Sequence, residues 1–157
     1  MITGNEITAQ EIVTAIVTRY PHSPARNCIQ ARRSQIEANL NASHKAWPEM
    51  PMLAIATVGF LETHLGCARG QGGNWGAPIS RFRRNVAGSP LQAAHILWNS
   101  YVVCDNNWES AARRFRTGLC RPTKVGSRYG RKFLNTQRAI LMQVLLNREI
   151  TEFRVCR

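Results

Sequence analysis

Met52-Leu-Ala-Ile-Ala-Thr-Val-Gly-Phe-Leu61 is apolar almost all round and runs into Glu62-Thr63-His64-Leu65-Gly66. A helix of that composition has no solvent face, so it must be buried on most sides. A strand is the competing reading, but Ala54, Ala56 and Gly59 are poor strand residues. A buried helix needs amphipathic neighbours, and the flanking sequence supplies them.

On the N-terminal side, Trp47-Pro48-Glu49-Met50-Pro51 is a connector. Before it, Ser23 as cap and Pro24 at the first position start a helix that is expected to run to about Leu40. Its apolar face is thin (Ile29, Ile36, Leu40), which predicts a surface position. Earlier still, Thr8-Ala-Gln-Glu11 is a capping box, and Ile7 with Ile12 fits the hydrophobic staple. Ile12, Val13, Ile16, Val17 and Tyr20 keep to one face until Pro21.

On the C-terminal side a glycine-rich loop spans Gly70 to Gly76, without the Gly-Lys-Ser/Thr ending of a phosphate-cradling loop. Ser89-Pro90-Leu91-Gln92 starts the next helix, with Leu91, Ala94, Leu97, Trp98, Tyr101 and Val102 at helical spacing. Asn107 caps a short helix, Trp108 to Phe115, which Gly118 stops. A last helix is expected from about Tyr129 to Leu146, with Phe133, Ala139, Ile140, Val144 and Leu145 on its core face. The fold class is all-α.

The chain has 157 residues and 17.7 kDa, enough for one core without staples. With 44 % apolar and 19 % charged residues and a mean hydropathy of −0.27, a disordered chain is not expected. No apolar run reaches the roughly 20 residues of a membrane span. Lys plus Arg number 21 against 9 acids, a net charge of +12 that favours polyanionic partners. The positive charge is dispersed (Arg32–Arg33, Arg81 to Arg84, Arg113 to Arg116, Arg128 to Lys132) and carries no nucleic-acid motif, so specific nucleic-acid binding is not expected.

Five cysteines, Cys28, Cys67, Cys104, Cys120 and Cys156, form no C-x-x-C pair. Cys104 and Cys120 bracket the Trp108 helix and would bond only if they approach to about 5.5 Å. No His pair has metal spacing, so no metal or other cofactor is expected. The N-terminus lacks the features of a cleaved signal peptide.

Glu62 is the only acid between Glu49 and Asp105, and it ends the most apolar segment. Desolvation disfavours the charged form of a carboxyl, and an acid that keeps its proton near neutrality can protonate a glycosidic oxygen. The plainer alternatives are a helix-end acid in solvent, or a pair with one of the arginines.

Leu53-Ala-Ile-Ala to Glu62-Thr63-His64-Leu65-Gly66, followed by Asn74-Trp75-Gly76, resembles the catalytic region of soluble lytic transglycosylases and goose-type lysozymes. There an apolar helix ends in the catalytic Glu, followed by Ser or Thr, and a Gly-x-x-Gly segment lines the sugar cleft. Gly73-Asn74-Trp75-Gly76 looks like that segment. Trp108 to Gly118 resembles the family's helix ending in Tyr-Asn-x-Gly, and Tyr129 with Phe133 resembles its final tyrosine-containing helix. The similarity spans residues 50–146, about two-thirds of the chain. Two departures stand out. Ala77-Pro78-Ile79 replaces the usual Gln-Met, and Phe115-Arg116 replaces Tyr-Asn, so a hydroxyl and an amide that serve the family's site are absent.

The resemblance implies a lysozyme-like domain at 50–157, with residues 1–49 as an accessory helical pair. It implies cleavage of the β-1,4 bond between N-acetylmuramic acid and N-acetylglucosamine, with Glu62 as acid and then base. Thr63, His64, Asn74, Trp75, Gly76, Phe115, Arg116 and Tyr129 would line the substrate site. Trp75 would stack on a sugar or plug its loop onto the core, and His64 is otherwise a helix-end histidine. Ordinary glycosidases need two carboxyls. Asp105 and Glu109 fall in a helix-cap region where the helix dipole already explains an acid. One usable Glu favours a transglycosylase, whose nucleophile is the substrate's own 6-hydroxyl. A goose-type hydrolase, and a catalytically dead peptidoglycan-binding or virion protein, are the alternatives. Without a signal peptide, the expected setting is a phage virion or the host periplasm and cell wall, with peptidoglycan and other virion proteins as partners.

Overall fold

The computed structural model describes residues 6–67 and 90–156. Among these, seven helices and no strand are found: α1 (Ala9–Arg19), α2 (Arg26–Ala31), α3 (Arg33–Ala46), α4 (Met52–Thr63), α5 (Pro90–Val103), α6 (Trp108–Thr117) and α7 (Lys124–Val155). The all-α class read from the periodicity is what the chain adopts.

Every residue of α4 from Met52 to Phe60 is buried, and the helix touches α1, α3, α5 and α7. Uniform apolarity has produced a central helix. α1 carries the expected capping box: Glu11 N donates to Thr8 Oγ1 at 3.2 Å, and Thr8 N donates back to Glu11 Oε1 at 3.1 Å. One apolar core draws on all seven helices, from Ile12 and Ile16 through Ile29, Leu40, Ile55 and Leu97 to Phe115 and Phe133.

The helix expected from Ser23 to Leu40 is instead two. Turns occupy 21–25, α2 starts at Arg26, and Arg32 breaks the run with φ −103° and ψ 16° before α3 continues to Ala46. The break sends two adjacent arginines to different neighbours. Arg32 Nη1 donates to the Gly66 carbonyl at 3.0 Å, beyond the end of α4, while Arg33 Nη2 donates to the Gln10 carbonyl of α1, also at 3.0 Å. The helix is not purely a surface element either, since Ile29, Ile36 and Leu40 are buried.

The last helix is longer than the Tyr129–Leu146 expected. Thr123 caps it, accepting from Gly126 N at 3.0 Å, and it runs on to Val155. Gly126 and Gly130 look like loop residues, yet both are buried within α7. A Cβ on Gly130 would stand 3.0 Å from Glu109 Cγ and 3.1 Å from the Glu109 carbonyl oxygen. Glycine is there because α6 and α7 approach so closely. Trp98, Tyr101, Trp108 and Phe133 stack in series, with centroids 5.5, 4.0 and 6.5 Å apart, and join α5 to α6 and α7.

Two disulfides tie the ends of elements. Cys104–Cys120 (Cα–Cα 5.6 Å) closes the α5–α6 segment, and Cys28–Cys67 (5.8 Å) joins α2 to the turn after α4. No helix among the described residues is long and apolar enough to cross a membrane.

Candidate active site

Three helices converge on Glu62. It lies in the last turn of α4, where the apolar stem leaves its side chain only 10 % exposed. α6 brings Arg116 in its own last turn, with Nη1 3.8 Å from Glu62 Oε2. At that distance the pair is electrostatic rather than hydrogen-bonded. Arg116 is itself 45 % exposed, which leaves it free to give way to a ligand.

α7 contributes Tyr129. Its hydroxyl is buried, faces the Glu62 carboxyl and has no hydrogen bond of sound geometry. Burial pushes the phenol well above its usual pKa, the negative charge and contact of Glu62 push the same way, and Arg116 opposes them. Tyr129 is thus held as a neutral donor beside the carboxylate. Because α7 begins at Lys124, Tyr129 stands within a formed helix next to Gly130, where α6 and α7 pack closely. A carboxylate, a cation and a neutral hydroxyl donor can together move a proton and hold a polar substrate atom.

The backbone immediately after Glu62 is unusual. His64, Leu65 and Gly66 are all left-handed, with φ of 49°, 59° and 87°. Left-handed backbone costs a non-glycine residue roughly 1–2 kcal/mol, and Leu65 stays there with its side chain 2 % exposed. The surroundings impose this turn: Leu65 N donates to the Gly59 carbonyl at 3.0 Å, Arg32 holds the Gly66 carbonyl, and Cys67 is bonded to Cys28. Backbone held in sparse regions clusters at functional sites. The sequence reading missed this brace; Cys67, five residues after Glu62, was the available signal.

The other expected site residues divide. The Thr63 side chain is fully buried, with its hydroxyl donating to the Gly59 carbonyl at 3.4 Å and accepting from Gly66 N at 3.0 Å. Phe115 is 1 % exposed in the core. His64 meets Phe60 edge-on at 5.3 Å and, with Tyr20 and His22, lines a cavity of about 440 Å³. Phe60 and Glu62 are two residues apart, so that cavity opens on the opposite side of α4 from the carboxyl. Asn74, Trp75 and Gly76, with Gly73, lie outside the described residues.

Asp105 is exposed in the left-handed turn between α5 and α6, and Glu109 pairs with Arg113 at 3.8 Å. His95 is exposed, with its ring 4.9 Å from Trp47. Among the described residues no group of His, Cys, Asp and Glu could hold a metal ion. Comparison with protein-family models, with curated proteins and with solved structures found no match to this chain.

Proposed function

We propose that the chain is a peptidoglycan-cleaving lytic transglycosylase with Glu62 as its acid and base. One observation carries the reading: a largely buried carboxyl at the end of an apolar helix is met by Arg116 and by the buried Tyr129 hydroxyl. In the first step Glu62 gives its proton to the glycosidic oxygen and the bond from that oxygen to C1 of N-acetylmuramic acid breaks. In the second, the Glu62 carboxylate takes the proton of the same sugar's 6-hydroxyl as that oxygen closes on C1. The acid is regenerated and no water is consumed. Tyr129 would donate to the carboxylate or to a sugar oxygen, and Arg116 would hold an acidic group of the substrate. The +12 net charge suits an anionic wall polymer, and two disulfides suit an oxidising compartment such as the periplasm or a virion.

A second reading has its own support. Arg116 stands where the resembled family has an amide, and it already accompanies the carboxylate. A wall-binding protein without catalysis could keep that arrangement. Incubation with purified sacculi separates the two: solubilised muropeptides support the enzyme, whereas protein that sediments with intact sacculi supports the binder.

A further inference from the structure

The C-terminal half of α7 exposes Met142, Leu146, Ile150 and Phe153, at 64, 49, 45 and 61 %. Their spacing of four, four and three places them within roughly 80° of one another around the helix. Val144, Asn147 and Arg148 line the opposite side, toward α1 and α3. Cys156 follows three residues after Phe153, at the edge of the same stripe, and its thiol is exposed and unbonded while the other four cysteines are paired.

We propose that this stripe pairs two copies of the chain side by side in parallel, with a Cys156–Cys156 disulfide closing the seam. Two observations select a second copy in this orientation. An odd cysteine left over in a disulfide-bonded chain points to intermolecular pairing. In an antiparallel pair centred on the stripe, the two Cys156 residues would lie roughly 24 Å apart at 1.5 Å per residue, far beyond bonding distance. In a parallel pair they meet. Glu149 lies between Met142 and Cys156 around the helix, and exposed Arg138 precedes them on the same side, so a parallel pair brings each of these charges near its own copy and the contact must offset both repulsions.

Magnitude explains why the thiol is needed. An apolar patch of this kind covers roughly 300–600 Å² per copy, so the pair buries about 600–1,200 Å² in all, at the lower edge of what a stable interface requires. The disulfide makes the contact intramolecular and raises its effective concentration. Two thiols give up two protons and two electrons to a disulfide-bearing oxidant, which becomes a dithiol. Cys28–Cys67 and Cys104–Cys120 need an oxidant of that class already.

The inference is independent of the proposed chemistry. The test equilibrates the full chain in a reduced and oxidised glutathione buffer, then applies non-reducing mass analysis and light scattering. A reducible species of twice the 17.7 kDa chain mass is expected. Cys156→Ser should be monomeric at micromolar concentration. Leu146→Glu with Ile150→Glu, and separately Met142→Lys, should lower the dimer-forming equilibrium constant at least tenfold while the melting temperature stays at the wild-type value. A chain that stops at the Cys156–glutathione mixed disulfide overturns the proposal. So does a dimer yield that none of the stripe substitutions alters.

Discussion

The Tyr129 hydroxyl is buried facing the Glu62 carboxyl without a hydrogen bond of sound geometry, and Arg116 approaches the same carboxyl to 3.8 Å without bonding it. A buried polar group left unmatched costs roughly 1–3 kcal/mol. Use by a ligand or a reaction is one reason a fold keeps such a group. Three helices bring these groups together, and the Cys28–Cys67 disulfide braces the turn that follows Glu62.

Tyr129→Phe removes only the unmatched hydroxyl. Melting temperature should therefore hold or rise, although most cavity-making changes in a core lower it. Activity on sacculi should drop about 10- to 100-fold if the hydroxyl serves the reaction. Unfolding scans beside a sacculus-clearing assay check both halves; a mutant less stable and fully active would contradict both.

Glu62→Gln keeps shape and hydrogen bonding but removes the transferable proton. Lytic activity should fall by a factor of about 10² to 10⁴ or more, with melting temperature unchanged or higher because a desolvated carboxyl is costly to the fold. Arg116 is too exposed for loss of its partner to offset that gain. Near-normal clearing by this mutant would end the assignment.

Cys28 and Cys67 close a loop across a separation of 39 residues, and Cys104 and Cys120 across 16. Loop-closure entropy gives about 4 kcal/mol for the first and about 3 kcal/mol for the second. Cys28→Ser with Cys67→Ser also frees the turn after Glu62. It should reduce activity below the melting point, whereas Cys104→Ser with Cys120→Ser should lower stability with little effect on turnover. Equal loss of turnover in both double mutants would show that the brace does not position the site.

The Glu11–Arg148 pair ties the first turn of α1 to α7. Arg148 Nη2 donates to Glu11 Oε1 at 2.9 Å, and Arg148 Nε bonds the other oxygen. These bonds, with those from Thr8, hold the Glu11 pKa at about 2, down from an ordinary 4.5. A depressed carboxyl pKa stabilises the fold above the unfolded value and loses that contribution as pH falls through the folded one. The stabilisation should thus be complete above about pH 5 and gone near pH 2. Solvent screening limits it to the order of 1 kcal/mol. Glu11→Gln should lower the melting temperature by about 2–4 °C at pH 7, and the difference should vanish near pH 2. A difference that persists unchanged in acid would point to lost packing instead.

Much of this was legible in the sequence. α4 announced itself because no residue from Met52 to Leu61 offers a solvent face, and α1 because Thr8 and Glu11 satisfy each other's backbone donors. The start of α7 was hidden, since Gly126 and Gly130 serve close packing against α6, which no local pattern reveals. At the break between α2 and α3, Arg32 bonds Gly66, 34 residues away, and Cys28 finds Cys67 over a similar distance. Those are tertiary facts. The position of His64 had no local clue: α4 ends at Thr63 and the backbone turns left-handed at His64, so helical spacing does not carry on to it, and its ring meets Phe60 instead. Arg116 and Tyr129 were singled out by resemblance, and only the packing of α6 and α7 shows them reaching the same carboxyl.

The products offer the sharpest separation between transglycosylase and hydrolase. A hydrolase needs a second carboxyl to activate water or to attack the sugar. Residues 68–89 contain no Asp or Glu, Asp105 is exposed in a turn, and Glu109 is engaged by Arg113 at the other end of α6 from Arg116. With Glu62 acting alone, the substrate's 6-hydroxyl has the advantage of an intramolecular nucleophile over water. Released muropeptides should end in 1,6-anhydro-N-acetylmuramic acid, lighter by one water than hydrolysis products, and Asp105→Asn and Glu109→Gln should each keep most of the activity. Mass analysis of a sacculus digest reads this directly. If the fragments carry reducing ends and one of those substitutions abolishes cleavage, water is the nucleophile and the single-carboxyl mechanism fails.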